Sequence, residues 1–297
     1  MRNHTRRARG VRFWAGLMAL LIVPATIGAA VSSAGAAGSN TLTVKAGEYV
    51  YKLSGGPKAG WTQVNFDNAG VENHMMAVFE LKPGVTAKQL KAAALSQDQS
   101  ALGKIVAANA DPNGVSGLPD LIGPGQKTTT ITELPAGHYG MLCRVPAPDG
   151  KSHIQHGMIK TFDVAKSKSS LKPPTSGVTD VSISDSAITF PTDNLGRNLT
   201  LKVTNTGSAV HSFTLIKIAD GKTLDDVKNY FDAFFNGQAP PGDPPGELVG
   251  GISSLNPGSD AYLEQTLSAG HYGYASTQGN APDDDYTKGL KGEFDVK

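Results

Sequence analysis

Four residues of this chain together have the side chains of a ligand set for a soft metal ion. Cys143 is followed after a loop by His153 and, five positions later, by Met158, while His74 lies far upstream at the start of a predicted strand. Sulfur ligands suit Cu(I), and imidazoles suit both oxidation states of copper. Two imidazoles, one thiolate and a weak axial thioether form the ligand set of blue-copper electron-transfer sites. The residue types therefore predict one copper site.

Each of these residues also has an explanation without a metal. Cys143 is the only cysteine in the sequence, so an intramolecular disulfide is impossible. A lone thiol is a metal ligand, an intermolecular bridge or a buried inert residue. Met158 alone is compatible with a place in the core. His74 has a counterpart, His211, in a region without the other three residues, so an imidazole there can serve the fold alone.

An internal repeat divides the sequence into two similar halves. The shared landmarks occur in the same order, which indicates duplication. They are 68–70 with His74 against 205–207 with His211, 123–125 against 256–258, the Gly-His-Tyr-Gly of 137–140 against 270–273, and 162–164 against 294–296. A stretch rich in Lys, Ser and Pro separates the halves at 166–177 and predicts an extended linker. We therefore expect one domain at 40–165 and a second at 178–297.

Both halves have the pattern of antiparallel strands. Polar and apolar residues alternate with period two in 128–134, 181–184 and 201–204, and Gly, Pro and Asn clusters end such runs. Segments 85–109 and 224–235 have helical composition, and Thr223 is a suitable helix cap. We predict an all-β protein of two tandem Greek-key β-sandwich domains, each with a short helical insertion.

The order His, Cys, loop, His, four residues, Met across a sandwich resembles the cupredoxin family of blue-copper proteins, in particular its plastocyanin-like members. The resemblance implies that His74 and His153 are imidazole ligands, Cys143 the thiolate and Met158 the axial thioether. It also implies a cupredoxin-like fold in both halves, one type 1 copper, one-electron transfer and a redox partner protein.

The second half keeps the fold pattern without the ligand motif. Alignment on the shared landmarks places Ser276, Asp285 and Leu290 where the first half has Cys143, His153 and Met158. The second domain is therefore expected to lack a copper site, and the scaffold does not by itself require the three ligand types.

Two classes of copper enzyme lack their ligand patterns here. A trinuclear cluster needs His-x-His pairs, but the seven histidines contain none, and His4 lies within the first 36 residues. Coupled nitrite-reductase sites have adjacent Cys and His, whereas Arg144 follows Cys143. From this we expect a protein that is not an enzyme. The alternatives to electron transfer are a metal-free binding or structural module and a copper carrier.

The first 36 residues predict an exported protein. A basic start, an apolar run and a small-residue stretch ending at Ala36 form a signal peptide with cleavage after Ala36, and Arg6-Arg7 leaves twin-arginine export open. The leader holds five Arg and no acid, so a net charge of +1 becomes −4 after cleavage. This charge gives no support to nucleic-acid binding, and no second apolar run predicts stable membrane insertion.

Overall fold

A computed structural model describes residues 40–297, except for 99, 109, 111–113, 194, 239, 241, 280 and 281. The predicted signal peptide at 1–36 lies outside the described residues. The first half contains β1 Thr41–Gly47, β2 Val50–Gly55, β3 Lys58–Asn68, β4 Ala77–Leu81, α1 Ala87–Ala94, β5 Lys127–Leu134, β6 Gly137–Leu142, α2 His153–His156 and β7 Ile159–Lys168. The second half contains β8 Thr179–Ile183, β9 Ile188–Thr189, β10 Asn198–Asn205, β11 His211–Ile218, α3 Leu224–Phe235, β12 Gly246–Leu255, β13 Asp260–Thr266, β14 Gly270–Ala275 and β15 Lys291–Val296.

The strands form the layers of a cupredoxin-like sandwich, as the alternating pattern predicts. One sheet has the order β4-β6-β7-β3-β5-β13-β10-β8-β9, with β1 pairing β2 and β3, and the other has the order β12-β11-β14-β15. Side chains from β1, β3 and β5 share one core with side chains from β4, β6 and β7. Those from β8, β10 and β13 share a second core with β11, β14 and β15. The prediction of an all-β cupredoxin-like fold is confirmed.

The helical insertions begin where the sequence provides caps. Thr223 precedes α3, and its hydroxyl accepts the backbone N–H of Asp226 at 3.1 Å. Thr86 caps α1 in the same way, with Gln89 completing the capping box. Each cap satisfies amide groups that the first helical turn leaves without partners. Only part of the predicted segment 85–109 is α-helix, and described turns follow α1.

The repeated Gly-His-Tyr-Gly serves the fold in both halves. The Tyr139 hydroxyl donates to the carbonyl of Pro135 at 2.8 Å, and the Tyr272 hydroxyl donates to that of Ser268 at 3.0 Å. The second glycine lets a helix approach the sheet. A Cβ on Gly140 would lie 2.3 Å from a methyl group of the leucine that α1 buries against it.

The predicted linker begins inside a strand. β7 continues to Lys168, and the Ser169 amide donates to the Ala59 carbonyl at 2.8 Å. The boundaries at 40–165 and 178–297 stay a prediction. One sheet nevertheless runs through both halves, because β5 pairs with β13 in the antiparallel sense.

Candidate metal centre

Three of the four predicted ligands lie together in the interior. His74, Cys143 and His153 are each 0% exposed, and their ligating atoms all lie within 4.8 Å of one another. The Nδ1 atoms of the two histidines are 3.1 Å apart, and the Cys143 Sγ lies 3.3 Å from the His153 Nδ1. Two imidazole nitrogens and a sulfur therefore face one point, although 79 residues separate the histidines. We call these three residues the metal cluster.

The neighbouring backbone holds each member in place. His74 lies before β4 and forms an isolated bridge with Ile122, and Cys143 follows β6 directly. His153 is the first residue of α2, and its amide donates to the Val145 carbonyl at 2.9 Å. This hydrogen bond closes the loop from 144 to 152 and brings the second imidazole back to the thiol.

The backbone of Met158 is hydrogen-bonded to two members of the metal cluster, and its side chain lies in the same apolar core. Its amide donates to the His153 carbonyl at 2.9 Å, and its carbonyl accepts the Cys143 amide at 3.2 Å. The side chain is 0% exposed and belongs to the hydrophobic cluster that contains Cys143. Gly157, with φ of 109°, allows the chain to turn back between α2 and β7.

The thiol of Cys143 has donors that favour its ionised form. Burial raises its pKa to about 11, while the backbone amides of Met75 and Val145 bond to the sulfur and act in the opposite direction. The thiol is therefore neutral at pH 7 in the metal-free protein. A cation in the metal cluster would stabilise the thiolate, which is the form that binds metals.

Both cluster imidazoles are in the neutral form that binds metals. Burial, followed by the charge of His153, lowers the pKa of His74 to about 4, and burial also lowers the pKa of His153. The His153 Nε2 lies 2.8 Å from the Glu72 carboxylate. The proton therefore belongs on Nε2, since a carboxylate only accepts, and the Nδ1 lone pair faces the metal cluster.

Sequence reasoning missed the residues that orient the second imidazole. Glu72 accepts from His153 through one oxygen and from the Tyr49 hydroxyl, at 3.0 Å, through the other. The Tyr49 ring meets the His153 ring edge-on at 5.1 Å and stacks on His156 at 4.3 Å. Tyr49 has φ of 61°, a conformation that is costly for a residue with a side chain. No spacing rule connects Tyr49 or Glu72 to a histidine so distant in sequence.

The repeated Asn-x-Gly motif supports the segment before His74. The Asn68 amide donates to the Glu72 carbonyl at 2.8 Å and the Ile122 carbonyl at 3.1 Å, while its oxygen accepts the Gly70 amide. A Cβ on Gly70 would lie 2.7 Å from the His74 Nε2. This Nε2 is buried and has no hydrogen-bond partner among the described residues. The motif thus positions the first imidazole and allows no side chain beside it.

The equivalent place in the second half contains a hydrogen-bond network. The His211 Nδ1 lies 2.7 Å from the Asp285 carboxylate, which also accepts from the Ser276 hydroxyl at 2.5 Å. The His211 Nε2 lies 3.1 Å from Asp185. Leu290, which follows Asp285 by five positions in the sequence, is buried. Over the part of the chain that the structure describes, the metal cluster is the one group of at least three His, Cys, Asp or Glu residues arranged to hold a metal.

The donor set of the metal cluster fits copper. One sulfur and two neutral imidazoles suit this metal, and they converge in a buried apolar surrounding. The His74 Nδ1 lies 3.1 Å from the His153 Nδ1, so it is the atom of this ring that faces the metal cluster.

Comparisons with known proteins found similarity to solved copper proteins. No protein-family model and no curated protein match the sequence. The chain is similar to a reduced auracyanin from Roseiflexus castenholzii, with 20% identity over 42% of this chain and 99% of the other and a TM-score of 0.28. It is similar to a multicopper oxidase, with 13% identity over 86% and 88% and a TM-score of 0.24. It is also similar to a copper-containing nitrite reductase from Thermus scotoductus, with 12% identity over 86% and 61% and a TM-score of 0.25.

These similarities correct the expectation that the protein is not an enzyme. The two solved structures just named that match over 86% of this chain are an oxidase and a reductase. The expectation was wrong because it rested on the absence of two ligand patterns, and such an absence excludes neither activity in general nor other arrangements of donors. No helix among the described residues is long and apolar enough to cross a membrane.

Proposed function

We propose that the protein is an exported copper protein that transfers single electrons through one type 1 copper site. His74, Cys143 and His153 would hold the metal, with Met158 as the axial ligand. The observation that carries this proposal is the convergence of two imidazole nitrogens and one thiol sulfur at a single buried point. Copper bound there would supply one-electron exchange between Cu(II) and Cu(I).

The surrounding residues prepare the site for this role. Glu72 and Tyr49 fix the tautomer and ring orientation of His153, and loss of such outer partners typically lowers metal affinity about 10–100-fold. The amides of Met75 and Val145 stabilise the thiolate. Because hydrogen bonds hold His153 and the Cys143 sulfur in place, these donors would move little when the metal changes charge.

A redox partner protein would dock above His153. Two of the four large apolar side chains that are exposed in the described chain lie near this end, Val71 at 78% and Val50 at 46%. The Glu48 carboxylate accepts the Val71 amide, and such hydrogen bonds lower the pKa of Glu48. An apolar patch beside a carboxylate fits a partner that presents an apolar surface with a basic group.

Export and the second domain complete the proposal. The signal peptide at 1–36 would direct the chain to an extracytoplasmic compartment. The second domain at 178–297 would be a cupredoxin-like sandwich without copper, because the donors at the equivalent place are bonded to one another.

A redox-cycling experiment tests the proposal against a carrier role. The copper-loaded mature protein is reduced with ascorbate and reoxidised with ferricyanide in the presence of bicinchoninate, which binds free Cu(I). We expect the protein to keep its copper and regain its absorption over repeated cycles. Transfer of the copper to the chelator on the first reduction would refute electron transfer and indicate a carrier. The matched control is Met158→Leu, which repeats the residue found at position 290 and is expected to change the reduction potential while cycling continues.

A further inference from the structure

A cavity of about 860 Å³ lies beside the metal cluster, under α3. Its walls include Met75 and Arg144 from the first half of the chain. These residues directly follow His74 and Cys143 in the sequence. A molecule in this cavity would therefore lie one residue away from two members of the metal cluster. The volume is within the range of small-molecule sites, about 300–1,000 Å³.

The far wall of the cavity is apolar. Phe231 and Phe235 face it from α3, Leu248 from β12 and Leu121 from the segment before β5. Phe235 is 46% exposed, although it is a large aromatic side chain. Such a wall favours a ligand with an apolar or aromatic body.

Two of the charged side chains that line the cavity, Lys228 and Asp120, have polar partners. Lys228 bonds to Asp232 and lies 3.9 Å from Asp284. Asp120 accepts the Thr214 hydroxyl at 2.5 Å.

Arg144 differs from these groups because it has no carboxylate or hydrogen-bond partner among the described residues. Its guanidinium lies 5.7 Å from the centre of the Phe79 ring, and this ring is its one described contact of polar or aromatic type. Arg144 is an exposed residue, and an arginine side chain is a cation at pH 7. A guanidinium offers two parallel donors that match a carboxylate or a sulfonate.

We propose that this cavity binds an organic anion with an apolar body, whose charged head pairs with Arg144. The body lies against the phenylalanines of α3 and the leucines opposite them. The two oxygens of Asp120 accept from the Thr214 hydroxyl and the Leu121 amide, which leaves Arg144 as the donor for the charged head of the ligand. The site is independent of the proposed electron transfer and needs no copper.

Fluorescence titration of the metal-free mature chain with anilinonaphthalene sulfonate tests this site. The probe combines a sulfonate with an aromatic body. We expect saturable binding of one probe per chain and displacement by decanoate. Decanol, which has the same body without the charge, should displace it far less. Arg144→Gln should weaken binding about tenfold or more, the usual effect of losing one charge-assisted hydrogen-bond pair.

Two further variants make the outcome decisive. Arg197→Gln removes the same charge at a distance, since the Arg197 side chain bonds to the Lys297 carbonyl, and it should leave binding within about twofold of the wild type. Thr277→Trp fills the cavity from its exposed side and should abolish binding while circular dichroism stays unchanged. Equal binding by wild type, Arg144→Gln and Thr277→Trp, or no saturable binding, would overturn the proposal. Cys143→Ser should keep the probe site, so its result is separate from that of the copper proposal.

Discussion

The burial of His74 should make the metal-free protein unusually sensitive to mild acid. Its folded-state pKa is about 4, whereas an unfolded imidazole has a pKa of about 6.5. Between these values the unfolded chain binds more protons than the folded chain, so the free energy of unfolding falls as the pH falls. Stability is complete above the unfolded pKa and is lost toward pH 4. The linkage relation gives a loss of about 2 kcal/mol between pH 7 and pH 5.

The loss is measured by urea unfolding of the metal-free mature chain at pH 7 and pH 5. Trp61 lies in β3 of the first half and is the only tryptophan after the predicted signal peptide, so its fluorescence follows unfolding of the half that contains His74. Other acids also titrate in this range, and the contribution of His74 is therefore the difference between wild type and His74→Gln. We expect the wild type to lose about 2 kcal/mol more than the variant between the two pH values.

Bound copper should remove the extra loss of stability of the wild type at pH 5, because a metal on the His74 imidazole excludes the proton. Two results would refute the reasoning. One is an equal pH dependence in wild type and His74→Gln, which would mean that the imidazole is solvated. The other is a free energy of unfolding that is higher at pH 5 than at pH 7 in the wild type but not in His74→Gln, which would mean that the folded state holds a protonated His74.

Three further predictions concern the surroundings of the metal cluster and the equivalent place in the second half. Glu72→Gln weakens the acceptor that orients the downstream imidazole, and Cu(II) affinity in a competition titration should fall about 10–100-fold. Gly70→Ala places a methyl group where there is no room, and urea unfolding should show a loss of about 1–3 kcal/mol. In the second half, the triple change Ser276→Cys, Asp285→His and Leu290→Met should create a second copper site, detected as two coppers per chain by metal analysis.

Each of these predictions has a matched control. Glu133→Gln removes an exposed carboxylate of the same half and should leave copper affinity unchanged. Gly56→Ala adds a methyl group where no atom lies within 4 Å and should not lower stability. Ser276→Cys alone should bind no second copper. A copper affinity unaffected by Glu72→Gln, a stable Gly70→Ala or a triple variant with one copper would each contradict the corresponding role.

The part of the fold that follows from local pattern could be predicted from the sequence. Period-two alternation marks β5, β8 and β10 because one side of each strand is buried, and the helix after Thr223 was predicted from its cap and composition. The pairing of β5 with β13 was not predictable in this way. The contact between two edge strands depends on the surfaces of two folded halves, which no local period records.

The candidate site also contains residues that the local sequence pattern predicts and residues that it does not. Its donor types and the return of His153 and Met158 to Cys143 follow from the spacing of one loop. Glu72 and Tyr49 do not, because 81 residues separate Glu72 from His153 and an acid before a histidine is common. The prediction against enzyme activity failed for a different reason, since it treated the absence of two known patterns as the absence of chemistry.

The central claim is tested most directly by a visible absorption titration of the mature protein with Cu(II), with Cys143→Ser in parallel. A thiolate ligand produces an intense charge-transfer band that no other donor of this cluster can supply. We predict a blue band that saturates at one copper per chain in the wild type and is absent from the variant. No band and no tight copper uptake by the wild type, or an equal band in Cys143→Ser, would contradict the account.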